Sequence, residues 1–426
     1  ETTDPDFAFQ YVDIGAVGEG RMVAKPQRLS FAAAPSRARR VVRPGDTMIS
    51  TVRTYLKAVC HVASCDEPTV ASTGFAVLTP SDMMVPRFLF YSVLSEHFIR
   101  RVSANSVGAS YPAIEPSRLG CLPIAVPSDL AEQVQISSFL DVSLAAIGRL
   151  IRAKRRQIEL LNEQKQAIIS WAITRGLDPN VRLKPSDVEW LDDVPEHWAV
   201  VRCWEAFSQR VERGHLAEQL LSVTISHGVV RQDELLKITA KKDSSNQDRS
   251  NYKLVRIGDI AYNKMRMWQG AVGRSDYRGN VSPAYVVVHP RNHDMVNVFY
   301  YHYMFRTTAF MCESYKHSYG ICDDQLSLRY EDFKTIQIPM PPRGEQDRIA
   351  RFLQHAEEHA DQLITVKRTQ INLLREYRTR LIADVVTGKL DVRGVTLPDL
   401  EDSDFDSDTD QDDLPDAEEV EADGED

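Results

Sequence analysis

The sequence predicts an α+β fold built as two copies of one unit, each a mixed domain followed by a long helix. Three observations carry this. The chain matches itself at an offset of 213 residues, the matching stretches have the hydrophobic period of paired helices, and short β-rich runs fill the segments between them.

The repeat is the firmest of the three. Glu132-Gln133 aligns with Glu345-Gln346, Phe139-Leu140 with Phe352-Leu353, and Lys154-Arg155-x-Gln157-Ile158-x-Leu160-Leu161 with Lys367-Arg368-x-Gln370-Ile371-x-Leu373-Leu374. Thr174 pairs with Thr387 and Leu177-Asp178 with Leu390-Asp391, giving 18 identities over the 47 positions 132–178. Upstream, Arg43-x-Gly45-Asp46 matches Arg256-x-Gly258-Asp259, and Arg53 matches Arg266. Elsewhere the halves differ almost completely. The predicted organisation is a first domain at 1–131, a helix at 132–178, a second domain at 179–344, a second helix at 345–391 and an acidic tail at 392–426.

The helices follow from a 4,3 spacing. Leu140, Leu144, Ile147, Ile151, Lys154, Ile158, Leu161, Lys165, Ile168 and Ala172 form one seam. Leu353, Glu357, Ala360, Ile364, Lys367, Ile371, Leu374, Arg378, Leu381 and Val385 form the other. A 3.5-residue repeat is the period of a left-handed coiled coil. Both copies place a cation at the same two seam positions, Lys154/Lys367 and Lys165/Arg378, and a polar interruption of this kind fixes register. About 40 helical residues make a rod of roughly 60 Å, long enough to act as a ruler between two domains. Proline marks each entry, Pro123 and Pro127 before the first helix and Pro339, Pro341 and Pro342 before the second, while Gly176-Leu-Asp-Pro-Asn180 stops the first.

In the two domains, Phe75–Leu78 and Tyr285–Val288 read as buried strands closed by Pro80 and Pro290, and Arg87–Arg101 and Val298–Met311 as apolar helical segments. The candidate nucleic-acid surfaces lie in loops at matched positions. Asn263, Lys264, Arg266, Trp268 and Gln269 interleave cations and amides with an aromatic, and Arg53 and Lys57 lie in the corresponding stretch of the first half. Such side chains can neutralise phosphates or address base edges, although a solvated strand with packed aromatics would look similar. Two Gly/Ser/Tyr loops, with Ser110 and Tyr111 in one and Lys316 and Tyr319 in the other, precede the proline junctions.

The net charge of −10 argues at first against nucleic acid as a partner, but it is unevenly spread. Residues 399–426 hold 16 acidic residues and no Lys or Arg, so the remaining body carries +6. A block of like charge cannot form a core and is expected to be disordered. Cysteines at 60, 65, 121, 203, 312 and 322 form no C-x-x-C, which suggests a reducing, cytoplasmic setting with buried thiols. No apolar run in the sequence is long enough to suggest a membrane segment. No phosphate-binding loop, dinucleotide loop or amino-methyltransferase tetrapeptide is present. His355-x-x-Glu358-His359 matches a zinc-protease pattern, but Val142 and Ala146 replace both histidines in the first copy.

Taken together, these features resemble the DNA-specificity subunits of type I restriction–modification systems. The resemblance rests on Trp190-Leu-x-x-Val-Pro-Glu-His-Trp198, on Pro341-Pro342-x-x-Glu345-Gln346 and Pro127 with Glu132-Gln133, and on the helix tails 154–178 and 367–391. It implies that each domain is a target-recognition domain reading half of a split, asymmetric site in double-stranded DNA, and that the two helices pair antiparallel to set the spacer. It also implies two methyltransferase subunits and motor-nuclease subunits as partners. S-adenosylmethionine, ATP and Mg belong on those partners, with no cofactor, metal or catalytic residue expected on this chain. Two departures stand out: the acidic tail, and the absence in the first half of a counterpart to Trp190–Arg213, so that about two dozen family-typical residues are expected before Glu1. The competing readings are a coiled-coil protein-interaction scaffold without sequence-specific DNA reading, and a self-contained restriction–methylation enzyme, which would need a methyltransferase motif set.

Overall fold

The computed structural model describes residues 4–108, 111–238, 249–320 and 326–397, which places Ser110 and the acidic tail outside the described residues. The chain forms two compact units, and their boundary falls inside both long helices, Leu130–Arg175 and Arg343–Val386. One unit contains residues up to Arg156 together with the chain from Lys367 onward; the other contains Gln157–Val366.

In the first unit, a four-stranded sheet has the spatial order Gln27–Ser30, Ala8–Val12, Thr69–Ser72, Ala38–Val42. A three-stranded sheet sets Thr47–Ser50 between Val59–His61 and Phe75–Leu78. Val12, Met48, Cys60, Ala71 and Phe75 form the core between them. In the second unit, a four-stranded sheet runs Phe207–Arg210, Tyr285–Pro290, Ile260–Asn263, Val272–Arg274. Its core joins Tyr262, Phe305 and Phe333 to Ile169, Ala172 and Ile173 of the first long helix.

The repeat extends into regions where the sequences do not match. Thr47–Ser50 and Ile260–Asn263 are both fully buried strands, and they lie 213 residues apart. The same offset relates the strands Val59–His61 and Val272–Arg274, and the 3₁₀ turns Thr54–Leu56 and Met267–Gln269. The matched Arg-x-Gly-Asp motifs form turns closed by their aspartates. Asp46 Oδ2 accepts from the Arg43 N–H at 2.8 Å, and Asp259 Oδ2 from the Arg256 N–H at 2.8 Å.

The repeated glutamine has a structural role. Gln133 and Gln346 are completely buried at the start of their helices. The Gln346 Oε1 accepts from the Asn297 N–H at 2.8 Å, while its Nε2 donates to Met295 O at 2.9 Å and Pro341 O at 2.8 Å. Gln133 repeats the arrangement with Val85 N–H at 2.8 Å, Met83 O at 3.1 Å and Pro127 O at 2.9 Å. One amide therefore ties three chain segments together where each domain joins its helix. The neighbouring Glu345 accepts from Trp198 Nε1 at 3.1 Å and lies 2.8 Å from His197 Nε2, which anchors the Val-Pro-Glu-His-Trp segment. Gly176 ends the first helix at φ +77°, and a Cβ there would stand 2.9 Å from Glu345 Oε1.

Every predicted seam position in both helices is buried or half-buried. In the first unit, Gln135 Nε2 near the start of one helix donates to Val395 O, beyond the end of the other, at 2.9 Å. In the second unit, Lys165 Nζ lies 3.0 Å from Asp361 Oδ1 and 3.5 Å from Glu357 Oε1. Early residues of one helix meeting late residues of the other is antiparallel pairing, and Lys165 makes a cross-helix contact consistent with fixing register.

Three expectations need correction. Arg87–Arg101 is two helices, Pro86–Leu94 and Glu96–Ala104, because Ser95 Oγ accepts from the Phe98 N–H and caps the second. Val298–Met311 divides in the same way, with Thr307 capping Thr308–Lys316. The third concerns membrane segments: the helix Leu130–Arg175 contains an 18-residue window long and apolar enough to cross a membrane. Polar groups on that helix are nevertheless used for domain packing. Asp141 is bonded by Arg87 Nε at 2.8 Å and by the Tyr91 hydroxyl.

Candidate nucleic-acid interface

The candidate loop of the second domain starts from a buried strand. Ile260–Asn263 delivers the chain to a 3₁₀ turn, Met267–Gln269, closed by Gly270 at φ +92°. Met267 is buried beneath the turn, which leaves Met265 exposed and Trp268 half-buried. Trp268 Nε1 donates to Met265 O at 2.9 Å, and its ring meets Tyr315 edge-to-face at 5.6 Å. The loop thus presents an aromatic platform with Arg266 at its entrance. Asn263 is buried, and its Oδ1 accepts from the Met265 N–H at 2.9 Å, so it shapes the turn from within. Gln269 is half-buried, and its Oε1 has no hydrogen-bond partner. Lys264 is half-buried, with its pKa lowered by burial and by the nearby charge of Arg329.

Sequence reasoning missed the residue that holds this loop. Arg306, at the end of the helix Val298–Phe305, donates to Gly270 O at 3.3 Å and Val272 O at 3.0 Å, and also to Ile225 O at 2.6 Å and Ser226 O at 2.9 Å. One guanidinium joins this loop to the Thr224–Gly228 hairpin. Because its acceptors are backbone carbonyls, no side-chain pattern in the sequence could have revealed the pairing. His302, one helical turn earlier, is held neutral: burial and the adjacent Arg306 and Arg274 push its pKa down to about 3.

The first domain builds the matching loop differently. Arg53 and Lys57 flank the turn Thr54–Leu56, both in the left-handed region at φ +50° and +53°. A non-glycine residue there costs about 1 kcal/mol, and such strain collects at functional sites. The Arg53 guanidinium lies 4.7 Å over the ring of Tyr111, which is 64% exposed. The Arg53 N–H donates to Pro112 O at 2.8 Å, and Thr54 Oγ1 lies 3.0 Å from Ser106 Oγ, so the two predicted loops meet. Lys57 faces Glu96 at 2.7 Å and Glu19 at 3.7 Å; burial opposes its charge, but these carboxylates outweigh it and its pKa is raised. In the second domain Lys316 is paired with Glu189 at 2.9 Å, and Tyr319 is 69% exposed with its backbone bridged to Ser327.

Lys154, Lys367 and Arg378 are half-buried on the long helices, away from these loops in the chain. Among the described residues, no group of three or more His, Cys, Asp and Glu is placed to hold a metal ion. His355 and Glu358 form only an exposed pair at 3.9 Å. Burial pushes the Cys60 thiol up to about 12, which makes it a packing residue.

Residues 236–373 match the family model for the type I restriction modification DNA specificity domain. The type I restriction enzyme MjaVIII specificity subunit of Methanocaldococcus jannaschii is 22% identical over 346 residues, covering 77% of this chain and 76% of the relative. The putative MjaX specificity subunit of the same organism is 23% identical over 318 residues, covering 72% and 69%. Among solved structures, a chain from work on complex assembly and conformational transition of the type I R-M system superposes with a TM-score of 0.69 at 20% identity, covering 91% of this chain and 93% of that one. The HsdS subunit from Thermoanaerobacter tengcongensis gives 0.54 at 22% identity, covering 91% and 92%.

Proposed function

We propose that this chain, which belongs to the DNA-specificity family of type I restriction–modification systems, reads a bipartite, asymmetric DNA site, one half with each domain. It is a non-catalytic subunit that recognises the DNA target within its complex. The observation that carries the finer reading is the pair of turns Thr54–Leu56 and Met267–Gln269, which share a position in the repeat and have different side chains. One scaffold with two different readers is what a split, non-palindromic site requires. The antiparallel helices would set the spacer between the half-sites.

The helices also suggest the partners. Leu160 and Leu373 occupy equivalent positions, are identical, and are 47% and 58% exposed. Two equivalent exposed leucines suit two copies of one partner, here two methyltransferase subunits carrying S-adenosylmethionine. Motor-nuclease subunits carrying ATP and Mg would complete an intracellular complex.

A footprint with methyltransferase partners present tests this reading. Two protected blocks separated by about one helical turn are expected, with affinity falling steeply as salt rises. Equal binding to random and target-containing DNA at physiological salt would instead favour a protein-binding scaffold.

A further inference from the structure

We propose that Arg213, Lys253, Lys264 and Arg329 form a phosphate cradle in the second domain that grips the DNA backbone beside the reading loop. This rests on the DNA-reading assignment above and joins Lys264, already a candidate contact, to Arg213, Lys253 and Arg329, which the sequence patterns did not single out.

Lys253 and Lys264 bond the segment Pro283–Tyr285, and Arg213 and Arg329 lie near enough to act on the charges of Lys253 and Lys264 respectively. Lys253 is only 7% exposed, and its ammonium donates to Pro283 O at 3.3 Å and Tyr285 O at 2.5 Å. Arg213 is bridged to Lys253 through the backbone. The Lys264 N–H donates to Ala284 O at 3.1 Å, and Lys264 O accepts from the N–H of Leu328, the residue before Arg329, at 2.8 Å. Arg213 and Arg329 are exposed, and Lys264 is half-buried.

Among the described residues, none of the four has a carboxylate partner. The acid beside Arg213, Glu212, is occupied by Arg256 at 2.8 Å, His215 at 2.9 Å and Arg210 at 3.8 Å. Elsewhere in this domain cations are paired, as Arg278 is with Glu218 and Lys334 with Glu331. A nearly buried ammonium and the three positive charges grouped with it repel one another, and two carbonyl dipoles only partly offset the desolvation. Burial, with Lys264 and Arg213 nearby, lowers the Lys253 pKa to about 8. An anion would remove the repulsion, and a DNA phosphate is the anion this loop would approach. The repeat supplies an independent observation. Lys253 begins the strand Lys253–Val255, and the equivalent position in the first domain, in the strand Ala38–Val42, is Arg40, also cationic although exposed where Lys253 is buried.

The test is a salt titration of the full chain, with its partners, on a random-sequence duplex. The Arg213→Gln/Lys264→Gln/Arg329→Gln variant leaves the buried Lys253 in place. Its slope of log K against log salt should be shallower by roughly 2.7, about 0.9 for each lost phosphate contact. A control variant, Lys237→Gln/Arg278→Gln/Lys334→Gln, removes the same charge from positions paired in this domain, Lys237 lying 3.8 Å from Asp233, and should leave the slope near wild type. Equal slopes for cradle variant and wild type, in a wild type that binds duplex, would overturn the cradle and leave the reading assignment standing. Failure of the wild type to bind duplex would strike the reading assignment itself. If inorganic phosphate binds the wild type through these residues while the duplex slope stays unchanged, the site takes free phosphate and the proposal fails.

Discussion

The two domains and the two long helices diverge to very different degrees. The helices keep sequence and structure together: the seam positions match, both carry the buried glutamine, and both expose the same leucine. The domains keep backbone positions and lose the side chains. The first domain stacks Arg53 on Tyr111 and holds its loop with Thr54 and Ser106, whereas the second sets Trp268 edge-to-face against Tyr315 and holds its loop with Arg306. Constraint therefore falls on the parts that position the readers, and variation falls on the parts that would touch DNA.

The largest expected effect comes from changing what the halves share. Inserting seven residues into each helix, at 154–165 and 367–378, adds one heptad and preserves the seam. At 1.5 Å per residue the pair lengthens by about 10 Å, or roughly three base pairs. Methylation mapping in cells should then show loss of the original site and a wider spacer; an unchanged spacer would sink the ruler.

Next is the glutamine clasp. Gln133→Leu and Gln346→Leu each leave a buried N–H and two carbonyls unsatisfied, and each should cost about 3 kcal/mol in thermal or denaturant unfolding. Similar losses are expected, because the bonding is the same in both halves. A loss confined to one would show that the resemblance between the junctions is only geometric.

Arg53→Ala and Arg266→Ala should separate the two readers. Each is expected to weaken or relax recognition by about 1–3 kcal/mol at one half-site only. If each variant lowered affinity equally at both half-sites in a methylation or binding assay, folding rather than reading would be the cause.

A pH titration sharpens the contrast further. Lys253 has a folded-state pKa lowered to about 8 from an ordinary 10.5, so its charge is disfavoured in the fold. Its contribution to stability is therefore poorest below pH 8 and improves as pH rises toward 10.5. Phosphate binding runs the other way: contacts made by the second domain should weaken above pH 8 as the ammonium loses its proton. Those made by Arg40 and Arg53 in the first should not change, and footprints at pH 7 and pH 9 would show the difference. The smallest effect is expected from Lys165→Met, since its contacts with Asp361 and Glu357 lie at a partly exposed site and should contribute under about 1 kcal/mol to unfolding stability.

The seam was legible because a helix turns regularly, so spacing alone puts Leu140, Ile147 and Ile151 on one face. The repeat was legible where the helices constrain it. The division of Arg87–Arg101 at Ser95 was missed because an apolar run hides a cap whose partner lies only three residues away. The equivalence of the two turns was legible from the matched Arg53 and Arg266, but the roles of neighbouring residues were not. Asn263 turns inward, Lys57 is occupied by Glu96, and Lys316 by Glu189.

The sequence by itself determined the two-copy plan and the helical seams, because periodicity and self-similarity are local properties of the chain. Tertiary structure decided that Gln133 and Gln346 are clasps, that Arg306 holds a reading loop, and that Arg213, Lys253, Lys264 and Arg329 come together. Those roles depend on backbone carbonyls and on charges brought close from as many as 116 positions apart, Arg213 to Arg329, and folding alone sets those distances.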